Sequence, residues 1–322
     1  MSLKQEEARI TKMFGDGSIM RLGDPSLSVR GVISTGVPAL DEALGVGGFP
    51  RGRVIEMYGP PGGGKSTIAQ QVIAQAQLAG GTAAYVDAEH SLDPKYATAL
   101  GININELLVS QPDYGEQGLE IAHALVRSQE VDVVVIDSIA SLIPKAEVDG
   151  DMGDQFMGLQ ARMLGQGMRK IVGDVHSSNT VLLLINQIRH KLGVTYGPTE
   201  TTPGGESVRH YASVRVDIRR IAAIKDGEDV IGARTKAKIV KNKVAAPFKE
   251  AEFDIVYGKG APYANGLVDV CTENGLIQRS GSWLTLPNGD RFQGRDKVIE
   301  IVQTNVEIAR GLREKLQEKI NA

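Results

Sequence analysis

The sequence predicts an α/β protein with a mostly parallel central sheet, and two observations lead to that prediction. Short apolar runs rich in β-branched residues alternate with helical segments between residues 53 and 186. This alternation is typical of parallel strands covered by helices on both faces of a sheet. Beyond residue 206 the apolar runs follow one another without helices, and they predict antiparallel strands that extend the same sheet.

The predicted elements of this core follow in chain order. The strands cover residues 53–58, 82–89, 107–111, 131–138 and 180–186, and the helices cover 65–79, 93–100, 116–129 and 154–176. The antiparallel strands are predicted within 213–224, 235–244 and 250–258.

The N-terminal end of the chain is predicted to lie outside the core. Residues 3–14 predict a short charged helix in which Ile10, Met13 and Phe14 share one face, and a strand is predicted at 29–34. Because a helix this short is marginal alone, its apolar stripe needs a partner. The segment either packs on its own core or docks as an arm on a neighbouring copy.

The last part of the chain predicts a small α+β domain. A helix is predicted at 263–274, a hairpin at Asn288-Gly289 and a charged final helix at 295–320. We therefore divide the chain into an N-terminal arm, a core and a small C-terminal domain, at residues 1–34, 35–261 and 262–322.

Composition excludes several classes of protein. Of 322 residues, 42% are hydrophobic and 23% charged, so a sizeable core can form. The net charge of −3 does not indicate a nucleic-acid binder, so any DNA contact must come from a local surface. The single cysteine, Cys271, excludes an internal disulfide and fits a reducing compartment. With no signal-peptide pattern and no apolar run of membrane-spanning length, we expect a cytoplasmic protein without a membrane partner.

Residues 58–67, YGPPGGGKST, have the spacing of a loop that binds a nucleoside triphosphate. The loop lies between a predicted strand and a predicted helix, which is the context that this motif requires. Backbone N–H groups from Gly62 to Thr67 and the helix N-terminus are placed to hold phosphates. Lys65 is expected to reach the β- and γ-phosphates, and Ser66 to bind Mg²⁺ through its hydroxyl.

Two adjacent prolines distinguish this loop. Pro60 and Pro61 have no N–H to donate, but they lie early in the loop, before the donors that the phosphates need. The predicted contacts of the loop with the nucleotide are Gly59, Pro60, Pro61, Gly62, Gly63, Gly64, Lys65, Ser66 and Thr67.

Polar side chains follow three buried strands of the predicted sheet, at the edge where parallel sheets bind ligands. Asp137 is either a ligand in the Mg²⁺ shell or the N-cap of the segment after it. Glu89 is either the base that polarises an attacking water or a cap, whereas Asp87 lies nearer the strand and suits a structural role. Gln187 can orient water or sense the γ-phosphate.

Residues 188–209 show no periodicity and contain Gly, Pro and Thr throughout, which is typical of a functional or disordered loop. Basic residues at its ends, Arg189 and Arg209 among them, and the aromatic Tyr196 suit a groove for single-stranded nucleic acid. A solvated, mobile loop has the same composition. A second irregular stretch, 147–158, is acidic, and its charge argues against contact with phosphates.

A series of motifs occurs in order along nearly the whole chain. They are FGDGSIMRLG, ISTG, VDAEHSLDPKYA, SQPDYGEQGLEI, VDVVVIDS, GDQFMGLQARM, INQIR, YASVRVDIRR and VKNKVAAPFKEAEF. On these motifs the sequence resembles the bacterial RecA recombinases. The resemblance implies a P-loop NTPase core that binds ATP and Mg²⁺ and forms helical filaments of its own copies on single-stranded DNA. It also implies pairing with duplex DNA, strand exchange, and activation of self-cleavage by the SOS repressor protein.

The resemblance also implies roles for single residues. Glu89 would be the hydrolytic base, Lys65 a second catalytic residue, and Gln187 the sensor that links the γ-phosphate to the loop after it. Asp93 and Tyr96 would lie near the adenine.

Other residues would act on a neighbouring copy or on DNA. Lys241 and Lys243, which by themselves suit the exposed face of an edge strand, would reach the ATP of the next subunit. Met157 and Leu192 would insert between bases. The full set of implied DNA contacts is Met157, Gly158, Arg162, Arg169, Arg189, Leu192, Gly204 and Gly205.

The sequence departs from the family pattern at several places. Pro61 and Gly62 replace a Glu and a Ser of the phosphate loop, and Ser66 replaces a Thr, so the hydrolysis rate becomes a quantity to measure. His210 replaces a Phe that relays the ATP state between subunits. The acidic C-terminal tail of many members is missing.

Other functions are compatible with the phosphate loop. One is a structural or regulatory filament that binds ATP and DNA but hydrolyses weakly. Another is a small-molecule kinase, although no Arg-rich lid or acceptor pocket can be identified. A third is a ring-shaped motor, although an N-terminal arm favours an open helical assembly.

Overall fold

The computed structural model describes residues 2–21, 30–156, 158–190 and 199–321, apart from the side chains of His190 and Asn321. The chain forms two compact units, Met1–Arg30 and Gly31–Ala322.

The described part of the first unit contains one helix, α1 (Leu3–Phe14), with the bounds that the sequence predicts. Ser2 starts it with a capping box, in which the Ser2 hydroxyl accepts from the N–H of Gln5 and the Gln5 side chain accepts from the N–H of Ser2. No residue of α1 is buried, and Met13 and Phe14 are 62% and 72% exposed. The apolar stripe of this helix is therefore solvent-accessible in a single copy.

The second unit begins with the elements that build most of the central sheet. In chain order these are β1 (Val32–Ile33), α2 (Pro38–Leu44), β2 (Phe49–Pro50), β3 (Val54–Gly59), α3 (Lys65–Leu78), β4 (Ala83–Asp87), α4 (Pro94–Ala99), β5 (Leu108–Ser110), α5 (Gly115–Ser128), β6 (Val133–Asp137), α6 (Lys145–Val148), α7 (Leu159–Ser177) and β7 (Val181–Gln187).

The remaining elements complete the sheet and form the C-terminal part. They are β8 (Arg189–His190), β9 (Glu200–Thr201), α8 (Gly205–Tyr211), β10 (Val214–Asp226), β11 (Asp229–Asn242), β12 (Glu250–Val256), α9 (Tyr263–Glu273), β13 (Gln278–Ser280), β14 (Trp283–Thr285), β15 (Arg291–Gln293), α10 (Arg295–Thr304) and α11 (Val306–Asn321). None of the helices in the described ranges is long and apolar enough to span a bilayer.

The central sheet has eight strands in the order β12-β11-β10-β3-β7-β6-β4-β5. The strands from β10 to β5 run parallel, and β11 and β12 are antiparallel to their neighbours. Side chains of β6 alternate between two apolar cores: Val133 and Val135 pack with α3, and Val134 and Ile136 pack with α5 and α7. The predicted α/β fold, with a mostly parallel sheet covered on both faces, is confirmed.

The prediction that β10 is an antiparallel strand is wrong for its first part. Val214 to Asp217 pair in parallel with Ile55 to Tyr58 of β3. The segment between β7 and β10, which includes α8, returns the chain to the edge at which β3 begins, so β10 enters the sheet in the same direction. Antiparallel pairing starts only with β11, across the turn at Gly227.

The strand predicted at 29–34 is shorter in the structure and belongs to the second unit. Only Val32–Ile33 forms a strand, which pairs with Phe49–Pro50, and Ile33 is buried in the core with α3. The domain limits predicted at residues 34 and 261 stay a prediction.

The C-terminal elements surround a third apolar core. Leu267 of α9, Leu284 of β14 and Leu312 of α11 are among its buried residues. Asn288 and Gly289 lie in the turn between β14 and β15, as predicted, and Gly289 has a φ of 93°.

The prediction of one final helix at 295–320 is wrong, because Asn305 separates α10 from α11. Asn305 has an extended backbone (φ −115°, ψ 99°), and its side-chain oxygen accepts from the N–H groups of Glu307 (3.1 Å) and Ile308 (3.2 Å). An Asn side chain that bonds the first free N–H groups of the next helix competes with continuation of the previous one.

Replacing Asn305 with Ala is expected to lower the free energy of unfolding by about 1 kcal/mol, because α11 loses the acceptor at its N-terminus. Urea denaturation measures this change. Gln303→Ala, an exposed change within α10, is the control and is expected to stay within about 0.5 kcal/mol. If α10 and α11 formed one helix, Ala at 305 would instead raise stability, because Ala is the better helix former.

Candidate functional site

The phosphate loop connects β3 to α3, as predicted, and its backbone requires glycine. Gly59 ends β3 with a φ of 156°, and a Cβ there would collide with the carbonyl oxygen of Ile218. Gly64 precedes α3 in the left-handed conformation, with a φ of 95°. A Cβ at Gly63 would lie 2.9 Å from the same Ile218 oxygen. The loop therefore runs directly against β10.

The prolines occupy the start of the loop and the donors its end. Pro61 and Gly62 are exposed, and Gly62 has a φ of 70°. The N–H groups that follow lead into the first turn of α3, where a helix leaves its N–H groups without partners from its own backbone. This cradle fits the phosphates of a nucleotide.

Lys65, the first residue of α3, folds back over the loop. Its ammonium donates to the carbonyl oxygens of Gly59 (3.0 Å) and Pro60 (2.8 Å), and the residue is 8% exposed. Burial lowers the pKa of Lys65, whereas the charges of Asp137 and Glu89 act in the opposite direction. The cation lies over the loop, in position to bind a phosphate oxygen.

Asp137 ends β6 beside this helix. It is 1% exposed, and burial raises its pKa, while hydrogen bonds from Ser66 and from the Tyr85 hydroxyl (2.6 Å) lower it. Residues 138–141 form a turn and the next helix starts at Lys145, so the helix N-cap interpretation is wrong. A hydroxyl next to one carboxylate fits Mg²⁺, which usually binds one or two carboxylates together with substrate phosphates.

Three donors converge on one oxygen of Glu89, just beyond the end of β4. The hydroxyls of Ser138 and Ser141 lie 2.5 and 3.2 Å from Oε1, and the side-chain amide of Gln187 lies 2.8 Å from it. In the described ranges all hydrogen bonds of this side chain reach Oε1 and none comes from a backbone N–H, so the geometry does not support a cap. Oε2 can accept a proton from water.

Asp87 has the structural role that its position predicts. The buried carboxylate accepts from the N–H groups of Ser91 (3.1 Å) and Leu92 (3.2 Å) and from the side-chain amide of Gln111 (3.1 Å). It therefore fixes the turn that carries Glu89.

Two residues with predicted adenine contacts lie next to the loop helix. The hydroxyl of Tyr96 lies 2.9 Å from the hydroxyl of Thr67. Asp93 is exposed and caps α4 by accepting from the N–H of Lys95 (2.9 Å). Their contact with a base stays a prediction.

Lys243 lies at the opposite edge of the sheet from the phosphate loop. Its N–H donates to the carbonyl of Ser213, and the N–H of Ser213 donates to Val54, the first residue of β3. From Val54 to Gly59 the strand rises roughly 17 Å, at about 3.3 Å per residue. Lys243 therefore cannot reach the phosphate loop of its own copy.

Lys241 lies near the same edge. Its ammonium donates to the carbonyl oxygens of Arg209 (2.7 Å) and His210 (3.0 Å), at the end of α8. Burial lowers the pKa of Lys241, and the positive charges of Lys243 and Arg215 lower it further.

A buried network that the sequence analysis did not single out joins β3, β7 and β10. Glu56 accepts from the side chain of Asn186 (2.9 Å) and pairs with Arg215 (2.5 Å), and Asn186 also donates to the carbonyl of Pro203 (3.0 Å). Breaking one partner of a buried ion pair typically costs about 3–5 kcal/mol. The signal in the sequence was a charged residue within the apolar run VIEMY, opposite an Arg in VRVD.

Exposed arginines with predicted DNA contacts line α7. Gly158 precedes this helix in the left-handed conformation, with a φ of 73°. Arg162 and Arg169 lie two turns apart and are exposed, and neither side chain has a hydrogen bond or ion pair with another described residue. Lys170, next to Arg169, has the same exposure and was missed by the sequence analysis.

The other predicted DNA contacts lie on the segment after β7 and at the start of α8. Arg189 is exposed and pairs with Thr201 in the small β8–β9 sheet. Gly204 and Gly205 begin α8 with φ values of 89° and 62°, and a Cβ at Gly204 would lie 3.1 Å from the α7 residue Leu164. Met157 and Leu192 lie outside the described residues.

Replacing Tyr85 with Phe is expected to lower the free energy of unfolding by about 1–3 kcal/mol at pH 8, because buried Asp137 loses a donor. That donor favours the charged carboxylate, so its loss raises the pKa of Asp137 further. The folded state then releases a proton less readily than the unfolded state, and the loss of stability grows as pH rises.

Urea denaturation at pH 5 and pH 8 measures this effect. Tyr257→Phe, at an exposed tyrosine, is the matched control. A loss no larger than that of the control, or a loss independent of pH, would contradict the role of Tyr85.

Comparison with known proteins agrees with this geometry. The family model for the RecA N-terminal domain matches residues 1–262, and the model for the RecA C-terminal domain matches residues 265–321. Protein RecA of Salinispora arenicola is 53% identical over 313 residues, which are 97% of this chain and 90% of that protein. Protein RecA of Corynebacterium jeikeium is 52% identical over 319 residues, which are 99% of this chain and 85% of that protein. The chain therefore belongs to the RecA family, whose members bind ATP and DNA in recombination and DNA repair.

Proposed function

We propose that the chain is an ATP-dependent recombinase that forms helical filaments on single-stranded DNA and catalyses homologous pairing and strand exchange. DNA would stimulate its hydrolysis of ATP to ADP and phosphate. The observation that carries the proposal is the 2.8 Å hydrogen bond between Gln187 and Glu89. On family membership alone, we extend the proposal to activation of SOS repressor self-cleavage.

The residues at the carboxyl edge divide the work of hydrolysis. The loop N–H groups and Lys65 bind the phosphates, and Glu89 accepts a proton from the attacking water at Oε2. Its other oxygen is held by three donors, so the carboxylate keeps one orientation. A Mg²⁺ ion at Ser66 and Asp137 would neutralise charge on the phosphates.

Gln187 supports coupling between this site and DNA. It ends β7, and Arg189 follows two residues later in the segment that closes against Thr201. Asn186, the residue before Gln187, bonds Pro203 near the other end of the segment. A shift of the segment on DNA would therefore change the donor that Gln187 offers to Glu89.

The DNA-binding role is supported by unpaired cations in an otherwise acidic protein. Arg162 and Arg169 are exposed without partners among the described residues, and the glycines that begin α8 offer backbone N–H groups beside them. Contacts of this kind reach phosphates and carry no sequence preference. A recombinase requires that property, because base pairing must select the partner strand.

Assembly is supported by the separation of the phosphate loop from Lys243. Since the two lie at opposite edges, head-to-tail contact between copies would bring the lysine of one copy to the nucleotide of the next. A contact of this type that does not close produces a filament. The exposed Met13 and Phe14 and the exposed edge-strand residues Leu108 and Val109 are apolar surfaces that such a contact could cover.

A filament with weak hydrolysis remains the second candidate, and Pro61 in the exposed part of the loop favours it. The Glu89 geometry favours the first candidate. Normal filaments in electron microscopy with negligible phosphate release would select the second.

Single-stranded DNA is expected to stimulate phosphate release, and Glu89→Gln is expected to reduce the stimulated rate by about 10²–10⁴-fold because the general base is lost. Phosphate release with and without poly-dT, together with DNA binding in a non-hydrolysable ATP analogue, measures both effects. Glu120→Gln, an exposed change on α5, is the control. Absence of stimulation in the native chain at saturating poly-dT would contradict the proposal.

Two inactive variants are expected to restore activity when mixed. Glu89→Gln retains Lys243, and Lys243→Met retains Glu89, so a mixed filament contains interfaces with both residues intact. In an equimolar random mixture, about a quarter of the interfaces are complete, and about that share of the native rate should return.

Lys225→Met, at an exposed lysine of β10, is the control and should be active by itself. Mixtures without recovery, in filaments that contain both variants, would place Lys243 in the site of its own copy or outside any site.

A further inference from the structure

A cationic pocket lies at the edge of the sheet opposite the phosphate loop. It is a cavity of about 150 Å³ whose charged and titratable lining consists of Arg53, His176, His210 and Lys243. No carboxylate lines it within the described part of the chain. A cavity of this size admits a carboxylate or a phosphate group but no larger ligand.

Four separate elements bring these side chains together. Arg53 precedes β3, His176 lies in the last turn of α7, His210 in the last turn of α8, and Lys243 follows β11. The position of His210 is fixed by two contacts: its ring meets that of Tyr211 edge to face at 5.4 Å, and its carbonyl accepts from Lys241 at 3.0 Å.

Nearby acids do not neutralise the pocket. Asp174 of α7 pairs with His123 at 2.5 Å, and Glu206 of α8 pairs with Arg209 at 3.1 Å. The side chains of Arg53, His210 and Lys243 have no hydrogen bond or ion pair with any described residue. The charged and titratable groups on the elements around His210 are Glu206, Arg209 and Tyr211 on α8, Asp174 and His176 on α7, Arg53, Lys241 and Lys243.

We propose that this pocket binds an anionic group presented by a second copy of the chain, and that His210 and His176 make this contact depend on pH. The inference rests on the proposed head-to-tail assembly, which brings the carboxyl edge of one copy to this edge of the next. That edge carries acidic groups, including the exposed Glu89, Asp93 and Asp113, so the two edges have complementary charge.

Protonation of the histidines adds positive charge to the pocket as pH falls through about 6.5. An anion then binds more tightly and, by linkage, raises the pKa of the histidines that face it. Assembly should therefore strengthen between pH 8 and pH 6. If binding shifts the pKa of the histidines by one unit in total, the gain in affinity is about tenfold.

The protein concentration at half-maximal assembly on poly-dT with a slowly hydrolysed ATP analogue, measured by sedimentation at pH 6 and pH 8, tests this inference. The native chain should require about tenfold less protein at pH 6. His210→Gln should assemble weakly at both values, and His210→Lys strongly at both, so each variant loses most of the pH ratio. His123→Gln, at a histidine outside the pocket, should keep the native ratio.

A native ratio near one, or a His210→Gln variant with an unchanged ratio, would overturn the inference and leave the assembly proposal intact. No assembly of the native chain at any pH would contradict the proposed function itself. Repeating the measurement with ADP separates the sources of the anion. A ratio that survives identifies a carboxylate of the second copy, and a ratio that is lost identifies the terminal phosphate.

Discussion

The polarity of the parallel strands is the constraint on which the rest of the structure depends. In a parallel sheet all carboxyl ends meet at one edge. Gly59, Glu89, Asp137 and Gln187 end or follow four different strands, so they come together although they are far apart in the sequence. The same polarity places Lys243 at the other edge, beside the start of β3. One copy thus presents two parts of a nucleotide site in opposite directions.

The two carboxylates at the carboxyl edge are prepared for different roles by their surroundings. Asp137 is buried between the Ser66 and Tyr85 hydroxyls, which stabilise its charged form against the cost of burial and hold it in one position. Glu89 is exposed, and its donors occupy a single oxygen. Hydrogen bonds to a charged group contribute roughly 1.5–3 kcal/mol each, so a change in the position of Gln187 has an energetic consequence at Glu89. This difference suits one carboxylate that stays fixed and one that exchanges a proton.

The sequence predicted the sheet, the phosphate loop and the residues at its carboxyl edge because each depends on local pattern: apolar period, glycine spacing and position after a strand. It did not predict the direction in which β10 enters the sheet, because direction depends on where the preceding segment leads. Asn305 was placed inside a helix because its capping contacts compete with helix continuation and leave no periodic signal. Ser138, Ser141 and Tyr85 were missed because donors to a carboxylate are selected by distance in space. The opposition of Lys243 and the phosphate loop required the strand register.

The central claim is that the nucleotide site of one copy is completed by the opposite edge of the next. Electron cryomicroscopy of the chain assembled on poly-dT with a non-hydrolysable ATP analogue tests it most directly. The account predicts a helical filament in which the ammonium of Lys243 lies within hydrogen-bond distance, about 2.7–3.2 Å, of a phosphate oxygen bound in the loop of the adjacent copy. A filament in which Lys243 faces solvent, with the nucleotide contacted by one copy alone, would contradict it.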